Sequence, residues 1–228
     1  MTVNEQPDAA HPDTALTLDT AWTVQWIRRG AEVLAANRTE LNSLDRAIGD
    51  GDHGENMDRG FRAVIPKLDG LTDDTNPAAV LKLVATTLIS TVGGAAGPLY
   101  GTAFLKAAGA VGPATSLDAA ALVALLTAAR DGIVLRGKAD SGDKTMVDAW
   151  TPAVTAADAA YAAGSPVNAV VNAAADAAEQ GALDTEPWVA RKGRASYLGE
   201  RAIGHRDPGA QSTALLLRAA ADLTSATE

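Results

Sequence analysis

Long stretches of helical period alternate with a few glycine-rich breaks, and this alternation limits the chain to a bundle or barrel of helices. Trp22, Trp26, Arg29 and Val33 recur at the spacing of one helix face, with Asp19 or Thr20 as caps. Further helical runs are Glu55–Leu68, Pro77–Val92, Pro98–Ala110, Leu117–Leu135, Thr145–Ala163, Val167–Gln180 and Gly209–Thr224. Asn76 and Asp118 fit helix starts, as does Ser165 ahead of Pro166. Thr86–Val92 is rich in β-branched residues but continues the helical pattern from Val80. The reading is all-α, with about eight helices and no strand. Composition agrees: 47% of residues are apolar, much of that alanine, and only 4% are aromatic, which suits closely packed helices better than a β-sandwich. No internal repeat or long linker divides the chain, so one domain is expected over residues 16–228. Met1–Ala15 is polar and acidic, with Pro7 and Pro12, and is expected to be a disordered tail; it lacks the basic start and apolar run of a signal peptide.

The breaks carry the chemistry. They are Gly49–Gly54, Gly93–Gly101, Gly137–Lys144 and Gly193–Gly209. Connections in a helical scaffold are usually short and bland. Loops this rich in glycine, charge and hydroxyl groups predict a site built at the helix ends. In the first, Asp45, Asp50 and Asp52 fall within eight positions, with Gly49, Gly51 and Gly54 relaxing the backbone between them. Crowded carboxylates repel unless a cation sits among them. An all-oxygen set of this kind suits Mg2+, which completes its shell with water and phosphate oxygens. An EF-hand is excluded, because counting from Asp50 puts Phe61 where the loop needs a glutamate. Gly49-Asp50-Gly51-Asp52-His53-Gly54 has the letters of a dinucleotide fingerprint, but it follows a helix and would face two aspartates toward the pyrophosphate. Gly132–Ala139 resembles a P-loop but has Ala139 in place of the hydroxyl residue.

Gly93-Gly94-Ala95-Ala96-Gly97-Pro98 approaches a helix, with Pro98 fitting its first position, and reads as a phosphate cradle. Arg194, His205 and Arg206 place basic groups in the last break, where they can hold nucleotide or stabilise charge in phosphoryl transfer. The absence of cysteine excludes thiolate metal sites, disulfides and thiol nucleophiles. A net charge of −9 argues against nucleic acid as partner. The longest uncharged stretch, Leu83–Leu105, is interrupted by glycines and Pro98, so no membrane span is expected. A cytoplasmic protein fits these features.

Taken in order, the motifs resemble the nucleotide-binding (L) subunit or domain of dihydroxyacetone kinases. They are Asn42-x-Leu44-Asp45, Gly49–Gly54, Asn56-Met57, Arg59-Gly60-Phe61, Gly97–Thr102, Gly142–Asp148, Gly193–Arg201 and Ile203–Ala210. The resemblance covers about Leu18 to Leu223. It implies an eight-helix up-and-down barrel with the nucleotide, ATP or ADP, at one end. Two Mg2+ ions would be held by Asp45, Asp50 and Asp52. Nucleotide contacts would fall on His53, Gly54, Glu55 and Asn56, on Ala95 and Ala96, on Gly137 and Met146, on Arg194, and on Asp207, Pro208 and Gly209. Arg194, and more weakly Lys144, are the candidates for acting on the phosphates. The family usually carries Ser where this chain has Ala96; loss of that hydroxyl costs about 0.5–1.5 kcal/mol of phosphate binding.

The function so implied is phosphoryl transfer to dihydroxyacetone held on a separate K subunit, since no sugar pocket or covalent-binding histidine motif is evident here. ATP would turn over, or bound ADP would be rephosphorylated by a phosphotransferase-system protein. Alternatives are a kinase for another short ketose or for a carrier-bound fatty acid, and a nucleotide-sensing module without catalysis.

Overall fold

A computed structural model describes residues 18–225; the expectation for Met1–Ala15 lies outside them. Nine α-helices are formed among the described residues: α1 (Thr20–Ala36), α2 (Arg38–Ile48), α3 (His53–Leu68), α4 (Pro77–Thr91), α5 (Ala96–Val111), α6 (Ala119–Gly137), α7 (Val147–Ala162), α8 (Val167–Asp184) and α9 (Pro208–Ser225). A 3-10 helix covers Arg194–Ala202. From α3 to α9 each helix packs on the next in chain order, α1 packs on α3, and α9 closes the ring against α1. The result is an eight-membered up-and-down barrel, as the resemblance implied, with α2 outside the ring against α3. All eight predicted helical runs are present. The helix read ahead of Gly49 is also present as α2, a separate helix without bounds in the sequence reading, whose polar sequence buries only Leu41, Asp45 and Ile48.

Antiparallel order sorts the connections into two sets. The segments between α2 and α3, α4 and α5, α6 and α7, and α8 and α9 all emerge at one end, and these are the four chemically rich breaks. The other end holds the plainer turns and a two-residue antiparallel pairing of β1 (Leu18–Asp19) with β2 (Ser116–Leu117), which corrects the expectation of no strand. Strands of two residues have no period for a sequence reading to detect.

Alanine and glycine set how closely the helices approach. A Cβ on Gly181 of α8 would lie 2.3 Å from the Asp148 carbonyl oxygen of α7. Aromatic rings fill the wider parts of the core. Trp22 stacks on Trp26 at 5.7 Å, and Phe104 meets Trp26 at 5.9 Å and Phe61 at 6.3 Å. Trp26 satisfies its buried indole N–H by donating to the Leu216 carbonyl at 2.8 Å.

Asp19, Asn76 and Asp118 cap α1, α4 and α6 by accepting from Trp22, Ala79 and Ala121 N–H. Other local readings are corrected. Arg29 is exposed beside Glu32 and Asp222, and Gly30 takes its place on the buried face. Pro166, not Ser165, is the residue before α8. α5 starts at Ala96, so Pro98 is its third residue; its missing N–H would be an unpaired helix-end donor there too. Among the described residues no helix is long and apolar enough to cross a membrane.

Candidate functional site

The rich end of the barrel holds an open cleft of about 800 Å3, lined by residues from all four breaks. Asp45 projects from the last turn of α2, while Asp50 and Asp52 sit in the turn before α3. One carboxylate oxygen from each can be chosen so that all three lie within 4.8 Å of one another. The turn closes because Gly51 adopts φ +81° and because a side chain on Gly49 would overlap the Asp45 carboxylate. Asp45 Oδ2 accepts from the backbone N–H of Asp52 at 2.8 Å and of His53 at 3.1 Å, which fixes the loop around the buried carboxylate. Burial raises the Asp45 pKa and the Asp50 charge raises it further, against the pull of those N–H groups. A divalent cation relieves both penalties, and the donor set is all oxygen, so these residues fit Mg2+. Arg194 supplies positive charge at this spot, its Nη1 2.9 Å from Asp50 Oδ2.

Beside the acidic trio, the cleft collects helix N-termini, because an up-and-down ring brings every second helix start to the same end. α3 and α7 begin there with their first N–H groups already paired: His53 donates to Asp45, Glu55 to Asn42 Oδ1 at 3.0 Å and Val147 to Thr145 Oγ1 at 3.2 Å. At α5, by contrast, the residue before the helix is Ala95, whose side chain cannot cap the first turn. The α5 start therefore offers N–H donors to a phosphate, and the positive dipole ends of all three helices favour its charge. Gly97 makes the tight turn into α5 possible: a Cβ there would sit 2.3 Å from the Val92 carbonyl oxygen. At α9, Asp207 accepts from Ala210 N–H at 2.7 Å, and burial, with the nearby charges of Asp148 and Asp45, pushes its carboxyl up to about 7.

His53 opens α3 and lines the cleft. Its Nε2 lies 2.9 Å from Ser212 Oγ, and Ser212 and Thr213 meet the buried Tyr100 hydroxyl at 2.8 and 2.9 Å. Desolvation drops the His53 pKa to about 4, so the ring is neutral at pH 7 and brings hydrogen bonding rather than charge to a phosphate.

Of the residues expected at the site, the cleft gathers Asp45, Asp50, Asp52, His53, Asn56, Ala95, Ala96, Lys144, Met146, Arg194, Asp207, Pro208 and Gly209. Gly137 lies in an adjoining apolar pocket of about 670 Å3 with Leu99, Ile133, Ala139, Met146 and Val147, the surroundings a nucleobase needs. Gly54 and Glu55 do not line the cleft. Gly54 packs under the Arg38 carbonyl, and the Glu55 carboxylate lies 3.4 Å from Arg38. Lys144 reaches the cleft wall, yet its ammonium donates to the Trp188 and Ala202 carbonyls at 3.0 and 2.6 Å and to Glu186 at 3.4 Å. It is a clamp on the Arg194-bearing segment. Leu99, Thr145 and Lys192 also line the cleft without having been singled out as site residues. Tyr100 stands in the Gly97–Thr102 motif, but its hydrogen bonds to Ser212 and Thr213, more than a hundred residues away, were not anticipated from the sequence.

Residues 47–222 match the family described as DAK2 domain. The chain is 42% identical over 203 residues to the PEP-dependent dihydroxyacetone kinase, ADP-binding subunit DhaL, of Escherichia coli K12, covering 89% of this chain and 96% of that protein. It is 41% identical over 201 residues to the PTS-dependent dihydroxyacetone kinase, ADP-binding subunit DhaL, of Lactococcus lactis, covering 88% and 95% respectively. The crystal structure of the dihydroxyacetone kinase from C. freundii in complex with AMP-PNP and Mg2+ superposes with a TM-score of 0.67 at 26% identity, over 98% of this chain and 37% of that one. A family match across most of the barrel, and relatives this similar along nearly their whole length, lead to one conclusion: the chain belongs to the DAK2 domain family.

Proposed function

We propose that the chain is the nucleotide-holding subunit of a dihydroxyacetone kinase, which passes a phosphoryl group to dihydroxyacetone held on a partner K subunit. The observation that carries this reading is the meeting, in one cleft, of three converging carboxylates with the uncapped, glycine-rich N-terminus of α5. Carboxylates alone repel a phosphate, and helix starts alone do not hold a cation; together they suit a magnesium–nucleotide complex. Asp45, Asp50 and Asp52 would hold two Mg2+ ions. Bound there, magnesium supplies charge neutralisation for the β- and γ-phosphates. Arg194 and the α5 N-terminus orient the phosphates, His53 spaces them without adding charge, and the pocket around Gly137 and Met146 takes the base. The acceptor and any base that activates it belong to the partner.

The PEP- and PTS-dependent relatives favour ADP that stays bound and is recharged by a phosphotransferase-system protein, in a cytoplasmic setting. The test is calorimetry of the full chain with ADP and with ATP, each with and without Mg2+, followed by mixing with a K-type subunit and either ATP or a phosphohistidine donor. Tight magnesium-dependent uptake and transfer to dihydroxyacetone are expected. No uptake of either nucleotide would end the reading, and uptake with no transfer from either donor would favour a nucleotide sensor.

Ala96 gives a graded check. It is the first residue of α5 and lines the cleft. Ala96→Ser adds a hydroxyl donor there and is expected to tighten ADP binding roughly 2- to 10-fold, from about 0.5–1.5 kcal/mol for one hydrogen bond. Calorimetric affinities of the two proteins measure it.

A further inference from the structure

We propose that Arg59, which does not line the cleft, is a positioning residue for the metal-binding turn, acting through Asn56 on Asp52. The inference rests on the magnesium–nucleotide reading above. Asp52, just before α3, and Asn56 and Arg59 within it recur at the spacing of one helix face. Arg59 Nη2 donates to Asn56 Oδ1 at 2.5 Å, and Asn56 Nδ2 donates to Asp52 Oδ1 at 2.7 Å. A guanidinium can only donate and a carboxylate can only accept, so the nearly buried Asn56 amide is locked in one orientation. Asp52 alone still prefers the NH2 side of the amide, but without Arg59 the amide oxygen loses its donor and the side chain loses the anchor that holds it in place against Asp52.

The same guanidinium serves a second element. Its Nε donates at 3.0 Å to the carbonyl of Thr91, the last residue of α4, just ahead of the phosphate loop. Helix-end carbonyls lack a partner within the helix. The loop closes on this joint because residue 93 is glycine: a Cβ there would lie 2.8 Å from Asn56 Oδ1 and 3.2 Å from Arg59 Nη2. One forked side chain thus ties the metal turn to the phosphate loop. Lysine cannot copy this, because its single nitrogen does not present two donors fixed in a fork.

The sign of the effect separates positioning from simple electrostatics. Removing a positive charge near an acidic site should tighten cation binding. Positioning predicts the reverse. The experiment titrates Mn2+ into the full chain at saturating ADP, following free Mn2+ by electron paramagnetic resonance, for wild type, Arg59→Met and Arg59→Lys, with thermal melts alongside. Arg59→Met is expected to weaken Mn2+ binding about tenfold, the scale of a lost partner behind a metal ligand. Arg59→Lys is expected to weaken it severalfold despite keeping its charge, and both melts should stay close to wild type. Equal or tighter Mn2+ binding by Arg59→Met, or full restoration by Arg59→Lys, would overturn the assignment while leaving the function standing. Failure of the wild type to take up Mn2+ with ADP would overturn both.

Discussion

Asp50→Ala should lose magnesium-dependent nucleotide binding while keeping the barrel. Asp50 sits in the turn between α2 and α3 with 37% of its side chain exposed, so truncation opens no cavity in the core. Removing it also removes a charge that disfavours ionised Asp45, so the protein without nucleotide should be no less stable than wild type. Binding responds differently. The trio loses a ligand, and Arg194 loses the carboxylate 2.9 Å away that orients it. Even a partner behind a metal ligand is worth roughly 10- to 100-fold in affinity, so the loss of a ligand itself should reach about 100-fold or more. Calorimetry with MgADP measures the loss, and circular dichroism with a thermal melt checks the fold. Unchanged affinity would remove Asp50 from the metal site.

The second large effect belongs to stability. Lys144 is 1% exposed and has φ +63°, and its ammonium serves the carbonyls of Glu186, Trp188 and Ala202. Burial lowers its pKa, while the negative charges of Asp207 and Glu186 act in the opposite direction. Lys144→Met fills similar space but leaves three carbonyls without that donor. Hydrogen bonds to charged groups are worth about 1.5–3 kcal/mol each, and because water reaches part of an opened segment the net loss should be about 3 kcal/mol. The loss should concentrate in the segment that Lys144 holds, which carries Arg191, Lys192, Arg194 and Arg201. Urea unfolding reads the energy, and limited trypsin digestion should cut this segment in Lys144→Met well before wild type. A variant with native stability and protease resistance but no transfer activity would instead make Lys144 a phosphate-handling group.

These two residues also show what the sequence disclosed and what it withheld. The Asp45, Asp50 and Asp52 set was readable because a crowded acidic turn is local: its spacing, its glycines and its position after a helix lie within a few residues. The helical runs were readable for the same reason, since period and caps such as Asn76 and Asp118 are properties of neighbours in sequence. α2 was not named as a run, because Arg38–Ile48 has too few apolar residues to show a stripe. Lys144 was read as a weak candidate for phosphate contact because its partners lie 42 to 58 residues away, and no local pattern announces them. Glu55 shows the converse: it stands inside the resembling motif, yet α3 turns its carboxylate toward Arg38 on the outer side of the barrel.

The alternating order of the ring has one practical consequence. Leu18 pairs with the connection between α5 and α6, and α9 runs from the cleft toward that same far end over 18 residues, roughly 27 Å of helix. Both ends of the described chain therefore leave from the base of the barrel, opposite the mouth. Leu18 and the end of α9 thus stand on the face away from the phosphates, which leaves the mouth of the barrel free for a partner to approach.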